Sequence, residues 1–194
     1  MNTQDPNILG DEDLVRKVQD HNDLYAFETL VKRYQSKIYN TCYRFMGDTQ
    51  EAFDCAQDTF VKIYTSIRSF KHLSSFATWA YRIAVNTCKN RLMSWEYRRT
   101  KKTRYLSQDT LELKDNSISP DQEIERSRIQ EKVQEAINML PFDQKQVIIL
   151  RDIQQLSYEE IEKITGLRSG TVKSKIARGR DKLKEMLKDL KYEM

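Results

Sequence analysis

A chain of 194 residues has room for one large or two small domains. Its net charge is +4, charged side chains make up 32% of it, and its mean hydropathy is −0.75, so a water-soluble protein is expected. No run of about 18 apolar residues occurs, and the first ten residues lack the basic-then-apolar order of a secretory leader, which argues against membrane insertion and export.

Gly and Pro are scarce, five and three, and no strand-like alternation persists, so the pattern is helical almost throughout. Asp11, Glu12 and Asp13 suit a helix N-terminus, and Leu14, Val15 and Val18 mark a short helix behind them. Phe27, Leu30, Val31, Tyr34, Ile38, Cys42 and Phe45 recur at three and four, one stripe on a long helix that Gly47 ends. Asp48 and Glu51 have capping-box spacing and open the next helix, which turns Ala52, Ala56, Phe60, Ile63, Tyr64 and Ile67 inward. A loop over 69–75 precedes a helix over 76–99 with Trp79, Ile83, Val85 and Leu92 among its apolar positions. Between 100 and 120 the apolar period disappears, and the stretch ends in Ser119, Pro120 and Asp121, which reads as a flexible polar linker. Ile124, Ile129, Val133, Ile137 and Leu140 then make an amphipathic helix stopped at Pro141. Helices over 143–152, 157–165 and 169–190 follow.

The expected architecture is therefore all-α. Two small helical domains, 1–100 and 122–194, flank a linker over 101–121, and the second is a four-helix domain containing a helix-turn-helix.

Charge is unevenly placed. Residues 82–104 carry Arg82, Lys89, Arg91, Arg98, Arg99, Lys101, Lys102 and Arg104 against the single acid Glu96. Residues 166–184 carry Arg168, Lys173, Lys175, Arg178, Arg180, Lys182 and Lys184 against the single acid Asp181. Two basic clusters in a nearly balanced chain suggest two surfaces facing nucleic acid, although either could be a solvated helix face.

The second cluster lies in the sharpest motif, residues 157–184. Ser157 and Glu160 form a capping box, and Tyr158, Ile161 and Ile164 face inward. Gly166 stands where the turn needs a left-handed residue, Leu167 packs that turn, and Ser169 is placed to cap the next helix. Two short helices joined by such a turn, the second basic, make a helix-turn-helix. Thr171, Lys173, Ser174, Lys175 and Arg178 lie off the apolar face formed by Val172, Ile176 and Leu183, where they can reach base edges or phosphates.

The first cluster mixes cations with rings: Phe76, Trp79, Tyr81, Trp95 and Tyr97 among Lys89, Arg91, Arg98 and Arg99. Such a face suits unpaired bases, because rings stack on bases and cations hold the backbone. The loop before it, FKHLSSF, offers small polar groups for an extruded base. A plain aromatic core stripe is the competing reading. Asp54, Gln57, Asp58 and Lys62 line the polar side of the preceding helix, as a solvated face or as a dock for a basic partner helix.

An enzyme finds little support. Neither His21 nor His72 has a metal-ligand pattern around it, Asp54 and Asp58 lack a third ligand, and there is no Gly-rich phosphate loop. No cofactor is expected. Cys42, Cys55 and Cys88, with no CxxC pair, read as small buried apolar residues in the reducing cytoplasm. An ordinary helix-turn-helix regulator with a sensing N-terminal domain remains open on these residues alone.

The order of parts resembles the extracytoplasmic-function sigma factors of the sigma-70 family. The resemblance runs from about residue 14 to 187 and rests on DCAQDTFVKIYTSIRSF (54–70), SFATWAYRIAVNTCKNRLMSWEYRR (75–99) and LPFDQKQVIILRDIQQLSYEEIEKITGLRSGTVKSKIARGRDKLK (140–184). It implies that Asp54, Gln57, Asp58 and Lys62 dock on the clamp helices of the largest subunit of core RNA polymerase. It implies that Phe70, Phe76, Trp79, Asn86, Asn90, Arg91, Arg98 and Arg99 melt and hold the single-stranded −10 promoter element, with Asn90 standing where many members carry an acid. Ser169, Thr171, Lys173, Ser174, Lys175 and Arg178 would read the duplex −35 element, the C-terminal domain would meet the polymerase flap region, and the linker would thread the active cleft. It also implies regulation by an anti-sigma protein.

Overall fold

The computed structural model describes the backbone of residues 9–101 and 120–188 and the side chains of 9–94 and 128–188. Every regular element among them is helical, as the missing period-2 alternation predicts. The segment read as a linker lies almost wholly outside the described residues.

Helix α1 (Asp11–His21) begins with its three acids, which favour the positive helix end. Its Leu14, Val15 and Val18 are fully buried. Helix α2 (Leu24–Met46) is capped by Asp23, whose carboxylate accepts the N–H groups of Tyr25 and Ala26, and it ends at Gly47 with φ 73°. Helix α3 (Thr49–Ser66) starts at Asp48, which accepts the Glu51 N–H at 2.8 Å. A single 3-10 turn (Ile67–Ser69) leads into the loop before α4 (Phe76–Lys101), where Ser75 Oγ accepts the Thr78 N–H. Leu30, Ile38, Phe45, Ile63 and Ile67 fill the centre of this first bundle.

In the second half, α5 (Pro120–Asn138) opens on a proline, which is preorganised for a first helical position. The helix expected over 143–152 divides. Helix α6 (Phe142–Ile148) runs into one π turn (Ile149–Ile153), whose Ile149 and Leu150 are completely buried. Helices α7 (Tyr158–Thr165) and α8 (Ser169–Met186) close the chain. Gly179 lets α8 lie directly on α6: a Cβ there would stand 2.8 Å from Ile148 Cγ1. Val147, Ile148, Ile161, Ile164, Val172 and Ile176 make the core that the helices share.

The two halves touch. Arg44 on α2 donates to Gln134 Oε1 on α5 at 3.0 Å, and Gln134 returns a hydrogen bond to the Arg44 carbonyl at 3.2 Å. The rings of Phe45 and Phe142 lie 5.6 Å apart. Tyr81 on α4 donates to Gln154 Oε1 at 2.9 Å, and burial pushes its hydroxyl up to about 12.

Candidate nucleic-acid interface

The helix-turn-helix forms as its sequence predicts. Ser157 Oγ accepts the Glu160 N–H at 3.2 Å while Glu160 Oε2 accepts the Ser157 N–H at 2.8 Å, the reciprocal capping box. Gly166 takes φ 72°, a conformation in which a Cβ would be strained. One expectation fails: Ser169 does not cap α8. Arg168 holds the cap position without a side-chain bond, and Ser169 is the first helical residue. The turn is fixed by backbone instead, through the Thr171 and Val172 N–H groups on the Arg168 carbonyl.

On α8, Val172 and Ile176 are buried while Lys173, Ser174 and Arg178 are exposed, and Thr171 is half-buried at their edge. A helix about 10–12 Å across fits a major groove about 12 Å wide, so this exposed row can meet base edges. Lys175 is not free. It pairs with Asp143 of α6, and that hydrogen bond holds the Asp143 carboxyl below its ordinary range. Arg180 is likewise paired with Asp152. Lys173 lies over the Tyr158 ring at 5.7 Å, which steadies it without neutralising it.

In the N-terminal half the rings gather at the loop. Trp79 lies 5.0 Å from Phe70 and 6.0 Å from Phe76, and Phe76 meets Tyr34 edge-on at 5.2 Å. Phe70 and Phe76 are buried, so in this conformation they shape the loop rather than offer a stacking face. Trp79 is half-buried, and Asn86 and Asn90 are exposed. Arg91, expected among the DNA cations, is engaged elsewhere: its guanidinium bonds Glu51 at 2.6 Å, Asp58 at 3.1 Å and Asp54 at 3.2 Å. It therefore ties α4 to the acidic side of α3, and Lys62 adds a bond to Thr87 Oγ1. The side chains of Arg98 and Arg99 lie outside the described residues.

Three features of this half escaped the sequence reading. Gln19 on α1 staples the loop: its Nε2 donates to the carbonyls of Ile67 at 2.8 Å and Phe70 at 2.9 Å, and its Oε1 meets His72 Nε2 at 3.0 Å. His72 sits at φ 54°, unusual for a non-glycine residue, beside Leu73, which is 81% exposed. On α3, Phe53 and Val61 are 52% and 63% exposed. With Gln57 they fall at i, i+4 and i+8, one helix face, next to Asp54 and Asp58. That spacing was visible in the sequence; the reach of Gln19 was not.

Comparison with known proteins agrees with this layout. Residues 30–100 match the model of sigma-70 region 2, and residues 130–183 match that of sigma-70 region 4. The chain is 38% identical over 186 residues to the RNA polymerase sigma-H factor of Pseudomonas aeruginosa, covering 93% of this chain and 95% of the relative. The chain belongs to the extracytoplasmic-function sigma factors of the sigma-70 family. The ECF RNA polymerase sigma factor SigW of Bacillus subtilis is 34% identical over 177 residues, covering 87% of this chain and 92% of that one. Among solved structures, the sigma factor RpoE of Bartonella quintana, in complex with the anti-sigma factor NepR, superposes with TM-score 0.69 at 23% identity, over 84% of this chain and 96% of that one. CnrH, solved with the cytosolic domain of CnrY, gives 0.67 at 22%, over 92% and 97%. These two likenesses carry the helical fold. As a sigma factor the chain serves RNA polymerase in transcription initiation, and its region 2 and region 4 are the halves described above. No described helix is long and apolar enough to cross a membrane.

Proposed function

We propose the following division of labour. The exposed face of α3, with Phe53, Asp54, Gln57, Asp58, Val61 and Lys62, docks on the clamp helices of core RNA polymerase. The loop over 70–75 and α4 open the −10 element and hold its single strand, through Trp79, Asn86, Asn90 and the basic end carrying Arg98 and Arg99. Phe70 and Phe76 shape the loop, and Arg91 holds α3 and α4 in register. Helix α8 reads the −35 duplex through Lys173, Ser174 and Arg178, with Ser169, Thr171 and Lys175 at the edge of the contact, and the C-terminal half meets the flap region. The protein works in the cytoplasm, performs no catalysis of its own and is held in check by an anti-sigma protein. The complex of the Bartonella RpoE with the anti-sigma factor NepR supports that last assignment.

The observation that carries the reading is the α3 face. A regulator that binds duplex DNA by itself has no use for exposed Phe53 and Val61 set among carboxylates, whereas a subunit that docks on a basic apolar partner does. The promoter imposes one further requirement. Elements centred 25 base pairs apart lie about 85 Å apart along B-DNA, at about 3.4 Å per pair. The halves pack together here, so they part when both elements are bound. The stretch 102–119 can span at most about 60 Å when extended, and the widths of the two halves make up the rest.

Run-off transcription with purified core polymerase tests the whole reading. Promoter-dependent transcripts are expected, and Trp79→Ala should lose more activity on intact than on pre-melted templates, once its fold is verified by circular dichroism. Absence of any such transcript, together with tight binding of an inverted-repeat duplex by the free chain, would sink it.

A further inference from the structure

The three cysteines lie 13 and 33 residues apart in sequence and on three different helices, Cys42 on α2, Cys55 on α3 and Cys88 on α4. The fold brings them to one point. Their sulfur atoms all lie within 4.8 Å of one another, with Cys55 Sγ and Cys88 Sγ at 3.4 Å, and all three residues are completely buried. All three are free thiols. Small apolar packing residues have no need to point their sulfurs at one another.

The spacing is that of a ligand shell. A metal bound at about 2.3 Å by three sulfurs in a plane holds those sulfurs about 4 Å apart. The Cys55–Cys88 separation of 3.4 Å is about 0.6 Å short of this distance and none exceeds 4.8 Å, so modest rotations of the side chains would close the shell. Zinc is a poor fit, because structural zinc takes four donors and no further histidine, cysteine or carboxylate joins this group among the described residues. A soft ion content with two or three sulfurs fits better, and thiolates select Cu(I) over harder cations.

We propose that Cys42, Cys55 and Cys88 form a three-sulfur site for a soft, low-coordinate metal ion of the Cu(I) kind, inside the bundle made by α2, α3 and α4. Binding replaces thiol protons, which pass to solvent, and transfers no electrons. The bound ion would cross-link the three helices from within. Its entry requires the bundle to open locally, so loading is slow compared with loading of a surface site.

The test is an anaerobic titration of the reduced full-length chain with Cu(I) held by a competing chelator. One equivalent should bind, with ultraviolet absorption of thiolate–Cu(I) charge transfer, X-ray absorption showing two or three sulfur neighbours and no nitrogen or oxygen, and a raised melting temperature. Cys88→Ala should weaken binding by more than about 100-fold, beyond the loss that a change outside the ligand shell brings. Failure to retain Cu(I) against the chelator overturns the proposal. So does affinity unchanged in Cys42→Ala, Cys55→Ala and Cys88→Ala alike, which would place the ion elsewhere. If a variant does not fold, the wild-type X-ray absorption decides: nitrogen or oxygen neighbours overturn the site, a sulfur-only shell supports it. Tight retention of four-coordinate Zn(II) in place of Cu(I) also overturns it.

Discussion

The two halves of the molecule build their surfaces by opposite routes. In the C-terminal half the reading helix is set by near neighbours: Ser157 with Glu160, Gly166 with Glu162, and Arg168 with Thr171 and Val172. In the N-terminal half the loop is held by Gln19 from 48 and 51 residues away, and Arg91 reaches back 33 to 40 residues to three acids. A turn closed by near neighbours forms with few distant contacts, although Lys175 with Asp143 and Arg180 with Asp152 also tie α8 to the helices before it. A surface assembled from distant segments responds to packing elsewhere. The exposure agrees: Lys173, Ser174 and Arg178 stand open on α8, while Tyr81 on α4 is buried and bonded to the other half.

The largest effect expected from this contrast is on α8. Arg178→Ala removes one exposed cation facing the groove. It should cost about 1–3 kcal/mol, or roughly 5- to 150-fold in promoter use, and the loss should depend on the −35 sequence. The melting temperature should not move, because Arg178 carries no structural bond among those described. An equal loss on promoters differing only at −35 would show that Arg178 contacts phosphate alone.

Next comes the staple on the other half. Gln19→Ala deletes both hydrogen bonds to the Ile67 and Phe70 carbonyls, an expected cost of about 2 kcal/mol to the ordered loop. Transcription from intact templates should fall by about 10-fold, while pre-melted templates and −35 duplex binding change little. If intact and pre-melted templates lose equally, the loop takes no part in opening. Gln19 is a positioning residue, so Gln19→Glu, which sets a carboxylate oxygen against the two carbonyls and loses both donations, should lose at least as much as Gln19→Ala.

Legibility in the sequence divides along the same line. The all-helical class and the helix-turn-helix were readable, because each rests on periodicity or on caps and turns a few residues long. Ser169 was misplaced by one position, since Arg168 could hold the cap through backbone alone. The π turn was hidden, because Ile149 and Leu150 continue an apolar run that a regular helix would also satisfy. Arg91 looked like one more DNA cation: nothing local to it reveals that Glu51, Asp54 and Asp58 on α3 would surround its guanidinium. The sulfur cluster was invisible for the same reason. Convergence of three helices is a property of packing, and no spacing along the chain encodes it.

Arg91 gives a smaller test. Its side chain is 24% exposed, and its partners Glu51, Asp54 and Asp58 are 26%, 41% and 57% exposed, so solvent screens the network. Arg91→Ala should lower stability by about 1–1.5 kcal/mol, read as a lower urea midpoint, and the loss should shrink in high salt. Arg91→Lys should recover only part, because an ammonium cannot fork to three carboxylates. If binding of single-stranded −10 DNA survived while stability fell, Arg91 would be confirmed as a strut rather than a DNA contact.

The finest test asks whether the N-terminal surface is governed from the other half. Tyr81→Phe keeps the ring and removes only the hydroxyl that donates to Gln154. The net worth of such a bond is about 0.5–1 kcal/mol, so the population with the halves apart should rise about two- to five-fold. A dye pair with one label in each half would read this as a shift toward longer distances. Because α8 is already open, duplex binding at −35 by the free chain should stay constant, while single-stranded −10 DNA should bind more readily. A shift in distance without a gain in single-strand binding would mean that the contact covers Tyr81 but not the DNA face. No shift at all would mean that the Gln134 and Phe142 contacts, not Tyr81, hold the halves together.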